Sequence, residues 1–232
     1  KNRRSRLNFL FFMVCLTTFF WFFGVAMCFL ALNRTAARFW INPLYGGIIF
    51  LPTFFYHFYM LLIDEESRAK RALVLAYIMD MLFFFSLVFT ESFMVPQQYF
   101  FGWYGSGRAL EPLFLFTLVS ISVMGLTKLF IAYRSGRYSF VRMKQMQYIF
   151  WGTFFFVLSS VDFLPTFGIE IYPLGFIFNI TFIVFVAMAI IRYRAMEIDT
   201  VIHKTILWVL TSLWLVIPLY LLFTVSRPWI SD

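Results

Sequence analysis

Two ionisable side chains sit inside apolar runs of this sequence: His57 in GGIIFLPTFFYHFYMLL and Asp80 in LVLAYIMDMLFFF. Ionisable groups at membrane depth are costly and mark candidate functional sites. If the two runs are neighbouring spans, His57 lies ~10 Å and Asp80 ~14 Å from the same end of the bundle. A His57–Asp80 contact is then allowed. Its functional reading is a protonation-sensitive switch, because imidazole titrates near neutral pH. Its plainer and preferred reading is a structural hydrogen bond between two helices, or an Asp held neutral by burial.

A second constellation centres on VDFLPTFGIEIYPLGF, residues 161–176. Asp162, Glu170 and Tyr172 lie here, in a stretch without Lys or Arg. Glu91, Trp103, Tyr104 and Arg108 fall at the same expected end of the bundle, with Gln97, Gln98, Tyr99 and Glu111 beside them. Together they are candidates for a ligand pocket, since small-molecule sites are mostly apolar with a few polar groups. The alternative is an interfacial aromatic belt with solvated charges. Asp162 has a third possible use, as an anchor for the backbone of the hairpin it occupies.

Catalytic patterns are absent. The chain has two His and no HExxH. His57 and His203 fall at different depths, which excludes a bis-histidine haem, and no metal or other cofactor is expected. Gly102, Gly105 and Gly107 do not form a nucleotide loop, because they face away from the cytoplasm in the topology derived below. A Ser/His dyad joining His57 to Ser86 or Ser159 is supported by depth alone. No catalytic residue is assigned.

The elements that must position these residues follow from composition. The chain is 62% apolar, 23% aromatic and 13% charged, against ~25% charged in a soluble domain. It lacks the polar side chains to cover a globular surface. Continuous apolar runs, rather than alternating ones, favour helices over a barrel. The expected fold is an all-α polytopic bundle in a single domain of about seven spans, at approximately 8–32, 43–63, 72–95, 112–133, 145–164, 171–191 and 205–225. Each is near the ~20 residues needed to cross a bilayer. Cys15 and Cys28 share the first run, ~20 Å apart on a helix, too far for a disulfide.

The net charge of +8 is uneven. Fifteen Lys and Arg gather at one side: the N-terminus, Arg68 to Arg71, Lys128 to Lys144, and Arg192 to Lys204. Only Arg34, Arg38, Arg108 and Arg227 fall on the other. The basic side is read as cytoplasmic, which puts the N-terminus inside and Asp232 outside. The charge therefore reports membrane orientation, and nucleic-acid binding is set aside. Pro165 and Gly168 end the fifth span and Tyr172-Pro173 begins the sixth, so residues 161–176 form an outer turn. The segment RYRAMEIDTVIHK, from Arg192 to Lys204, mixes charge with apolar residues. Arg192, Arg194, Glu197 and Asp199 are candidates for a coupling element that passes helix motion onward. An ordinary basic loop against anionic lipid is the equal alternative.

One pattern runs through these features. It comprises Arg142-Met143-Lys144-Gln145, Gly152, Asp162-Phe163-Leu164-Pro165, Gly168, Tyr172-Pro173-Leu174-Gly175 and Arg192-Tyr193-Arg194-Ala195-Met196-Glu197-Ile198. Gly102-Trp103-Tyr104 and the basic loop from Arg134 to Arg142 are in register with it. The pattern resembles the N-terminal seven-transmembrane sensor region of bacterial histidine kinases and related signalling proteins. The resemblance implies signal input at a bacterial cytoplasmic membrane, and one more span before Lys1. The sequence departs from it by an extra span at 205–225 and by carrying no kinase or cyclase domain. The leading expectation is a sensory input module that binds a ligand or lipid and transmits helix motion. The alternative is a non-catalytic structural subunit of a larger membrane complex. A transporter ranks third, since no internal repeat is present. Expected partners are membrane lipids, a second copy of the chain, or other membrane subunits.

Overall fold

The computed structural model describes residues 3–193. In chain order it contains α1 (Arg3–Leu30), α2 (Arg34–Leu62), α3 (Glu66–Phe89), β1 (Met94–Tyr99), β2 (Gly102–Gly107), α4 (Glu111–Arg134), α5 (Phe140–Leu158), a 3₁₀ segment (Ser159–Phe167) and α6 (Gly175–Tyr193). Helices α1 to α4, and α5 continued by its 3₁₀ extension, are long and apolar enough to cross a membrane. Helix α6 adds a shorter apolar stretch, Gly175–Ala189. The chain is a membrane-type helix bundle, as its composition requires. The expected span 205–225 lies outside the described residues.

Most helices bury a single stripe. In α3 the buried positions are Ala69, Leu73, Ala76, Asp80, Phe83 and Leu87, a four-and-three spacing that keeps one face inward. The opposite face exposes Leu75, Leu82 and Phe85. Such a surface suits hydrocarbon and not water. Helix α2 differs, being buried around most of its length between α1, α3 and α4. Asn33 caps its start, the side chain accepting from Ala36 N–H at 2.8 Å. It packs against α1 by backbone approach. A Cβ at Gly47 would collide with the Thr17 carbonyl and the Trp21 backbone nitrogen, and one at Gly24 would collide with Leu44. With no hydrophobic driving force between helices in lipid, small residues of this kind let dispersion hold the pair together.

The two ends of the bundle are built differently. At the basic end, the α2–α3 turn is clasped by three other helices and their loops. Arg142 donates to the Leu62 carbonyl at 2.5 Å and to Asp64 Oδ2 at 2.7 Å. The Tyr138 hydroxyl donates to the Ile63 carbonyl at 2.7 Å. Lys128 reaches Glu65 at 3.2 Å, and Arg6 pairs with Glu66. These cations therefore hold a particular turn, in addition to marking a compartment.

At the opposite end α3 stops at Phe89, before the expected 95, and an antiparallel hairpin follows. Its register runs from Met94↔Gly107 to Tyr99↔Gly102. Gly102 turns the strands at φ +126, a conformation side chains rarely adopt. The hairpin lies over the ends of α1, α2 and the 3₁₀ segment.

Candidate functional site

The 3₁₀ segment is the hub of the hairpin end. Asp162 is 4% exposed. Its Oδ1 accepts from Gly175 N–H at 2.6 Å, at the first residue of α6. The first turn of a helix leaves N–H groups unpaired and carries positive dipole charge, so a carboxylate supplied by another segment caps it well. A Cβ at 175 would overlap the carboxylate, so any larger residue there displaces Asp162 from the amide. The backbone of the same segment receives the hairpin. Tyr104 O–H donates to the Asp162 carbonyl at 3.2 Å, and Tyr99 O–H to the Pro165 carbonyl at 2.7 Å. Thr166 donates to the Phe163 carbonyl at 2.7 Å and pairs with the Glu111 carboxylate at the start of α4. Burial, with Asp162 close by, holds the Tyr104 phenol well above its ordinary range. It stays a donor at any physiological pH. One segment thus ties together β1, β2, α4 and α6.

Of the eleven residues expected around this end, the structure brings Tyr99, Tyr104, Glu111 and Asp162 together at the 3₁₀ segment. Trp103 is half-buried on β2. Tyr172 is 45% exposed and packs on Phe29 and Phe101, ring centroids 5.8 and 5.7 Å away. Glu91, Arg108 and Glu170 are exposed at the rim. Three participants carried no assignment from sequence: Tyr45, Thr166 and the Gly175 amide. Tyr45 is fully buried beside Glu111 and Tyr104, and its hydroxyl has no partner among the described residues. Its place only three residues into the expected second span, 43–63, was the available signal.

The His57–Asp80 pairing is not formed. His57 Nδ1 meets Tyr77 O–H at 3.0 Å, and Nε2 meets Glu66 Oε1 at 3.1 Å. Asp80 is 3% exposed and faces Thr53 on α2, although Thr53 Oγ1 and Asp80 Oδ2 do not reach hydrogen-bond geometry. The reason is register. Helix α3 begins at Glu66, six residues before the expected 72, so Asp80 lies ~21 Å along it. His57 therefore falls short of Asp80 and bonds Glu66 and Tyr77 on either side of its level, while Thr53, one turn deeper on α2, faces Asp80.

Below the hub, a cavity of about 40 Å³ lies among α1, α2, α4 and α5, with Ser159, Ser160 and Phe163 of the 3₁₀ segment in its wall. Tyr59 and Thr153 bond across α2 and α5 at 2.5 Å on the same wall. Among the described residues no cluster of three or more His, Cys, Asp or Glu has metal-binding spacing. Arg192 lies near the end of α6. Arg194, Glu197 and Asp199 lie outside the described residues.

Over residues 1–199 the chain matches the family model of the N-terminal 7TM region of histidine kinase. The chain belongs to that family. Comparison with curated proteins and with solved structures returned no match. As a histidine-kinase 7TM region, the chain is a membrane sensory input module.

Proposed function

We propose that this input module responds to a ligand or lipid by shifting the 3₁₀ hub, and that α6 carries the shift toward an output domain. The supporting observation is the Asp162 Oδ1–Gly175 N–H bond, the polar tether between the hub and the helix that continues down the bundle. A ligand shifts such an equilibrium only through different affinities for the two arrangements. What supports the hub in that role is that the cavity wall, the hairpin contacts and the α6 cap all fall on one nine-residue segment.

The test is the output of the full-length protein in membranes. Asp162→Ala removes the acceptor, whereas Asp162→Asn keeps an oxygen for the Gly175 amide. The expected result is a stimulus-dependent output reduced about 5-fold or more in Asp162→Ala, the lower range of allosteric coupling, and near normal in Asp162→Asn. An unchanged response in a normally folded Asp162→Ala protein would overturn the proposal.

The same reading sets the orientation: hairpin end outside, basic end in the cytoplasm, in a bacterial inner membrane. A membrane-impermeant maleimide applied to intact cells is expected to label Gln98→Cys on β1, while Arg137→Cys reacts only after permeabilisation. The reverse pattern would invert the topology.

A further inference from the structure

The cavity beneath the hub has a chemistry of its own. Trp21, Phe55, Leu118 and Phe156 make its lining apolar. Two residues of its wall nevertheless carry a polar group without its usual partner. Trp21 is 2% exposed, and its indole N–H has no acceptor among the described residues. Pro52 lies inside α2 and lines the cavity together with Ile48. Proline has no N–H, so the Ile48 carbonyl loses its helical donor. An unmet donor such as the Trp21 N–H is costly in an apolar space at membrane depth. A neutral hydroxyl oxygen is an acceptor that would satisfy it. No charged side chain lines the space, which disfavours a carboxylate or ammonium head.

Size and exposure set the direction of entry. The volume of about 40 Å³ accommodates roughly three water-sized centres at ~10–15 Å³ each. That is a hydroxyl and the first carbons behind it. The rest of any larger molecule must lie outside. Ser122 on α4, Val157 on α5 and Ser160 line the cavity and are half-exposed. They form its edge toward the bilayer, between α4 and α5.

We infer that this cavity is the head-group site for a neutral aliphatic alcohol that enters sideways from the bilayer. Its hydroxyl oxygen accepts from Trp21 Nε1–H, and its alkyl chain leaves past Ser122 and Val157 into lipid. The inference rests on the input-module reading only in treating the occupant as a signal. Binding itself stands on the geometry. Ser160 in the wall and Asp162 in the α6 cap belong to one 3₁₀ segment, so an occupant that spreads α4 from α5 pushes on the hub directly.

The test is photolabelling of the full chain in lipid nanodiscs with a diazirine-bearing octanol, read by peptide mass spectrometry. The expected result is adducts on cavity residues that excess octanol competes away and octanoate at neutral pH does not. Trp21→Phe keeps an aromatic side chain and removes the donor, and it is expected to weaken competition about 5-fold, the effect of one hydrogen bond. Leu118→Trp fills the space and is expected to abolish the saturable adducts, with thermal unfolding reporting that both variants are folded. Adducts confined to lipid-facing positions such as Leu75 and Phe116, unaffected by competitor or by Trp21→Phe, would overturn the site. A cavity that holds water alone gives that same result. No output is measured, so this failure would remove the cavity ligand and leave the input module to be judged on Asp162.

Discussion

Arg38→Leu lowers the stability of the folded bundle by about 3 kcal/mol and loosens the hairpin before anything else. The guanidinium of Arg38, on the first turns of α2, donates to the Met94 carbonyl at 2.5 Å, the Leu87 carbonyl at 2.9 Å and the Thr90 carbonyl at 2.8 Å. The last carbonyls of a helix have no partner within it, and the negative end of the helix dipole favours a cation there. Arg38 thus ends α3, starts β1 and fixes both to α2. Hydrogen bonds to charged groups contribute ~1.5–3 kcal/mol each. Water replaces part of that here, because Arg38 is half-buried rather than enclosed. Arg38→Lys cannot present a fork and is expected to recover less than half of the loss. Thermal unfolding in detergent measures the energy. Hydrogen exchange locates it: amides of Met94–Gly107 exchange faster while the α2–α3 turn keeps its protection. Unchanged exchange in the hairpin would refute this role for Arg38.

Gly47→Ala costs about 3 kcal/mol, whereas Gly46→Ala, one residue earlier, is neutral to slightly stabilising. The added carbon is the same in both. At Gly47 it meets backbone of α1, the Thr17 carbonyl and the Trp21 nitrogen, which move only if the whole helix moves. At Gly46 the nearest atom is the ring edge of Phe84, 3.3 Å away, and a side chain can give by a few tenths of an ångström. Overpacking a well-filled interior costs ~1–3 kcal/mol. The rigid obstacle at Gly47 puts it at the upper end. At Gly46 the gain in helix propensity, ~1 kcal/mol for Gly→Ala, offsets the small repacking. Paired melting curves of the two variants in one detergent measure the contrast, and equal melting temperatures would show that α1 and α2 do not meet along this seam.

Helix α4 was legible nearly to the residue, 112–133 against Glu111–Arg134, because Glu111-Pro112 at one end and Arg134 at the other break a uniform apolar run. The outer turn was legible for a similar reason, as Pro165, Gly168 and Pro173 act within a few residues of themselves. The hairpin was not. Met94–Tyr99 is MVPQQY, with a proline and no alternation, and it pairs because Arg38, the 3₁₀ segment and the ends of α1 and α2 hold it in place. Asp162 was named as a candidate anchor, but its partner, the amide of Gly175, carries no side-chain signal.

Composition, run length and the placement of Lys and Arg determined that this chain is a helical membrane protein. The Asp162 and Gly175 motifs pointed to its family. Each of these is a property of a segment or its neighbours, and transfer between water and lipid acts on segments. Tertiary structure decided who touches whom. It put Tyr77 and Glu66 against His57, Thr53 against Asp80, and Trp21 and Pro52 around one cavity. Those pairings depend on the register between helices, and a few residues' difference in where α3 begins shifts every contact along it by more than a turn.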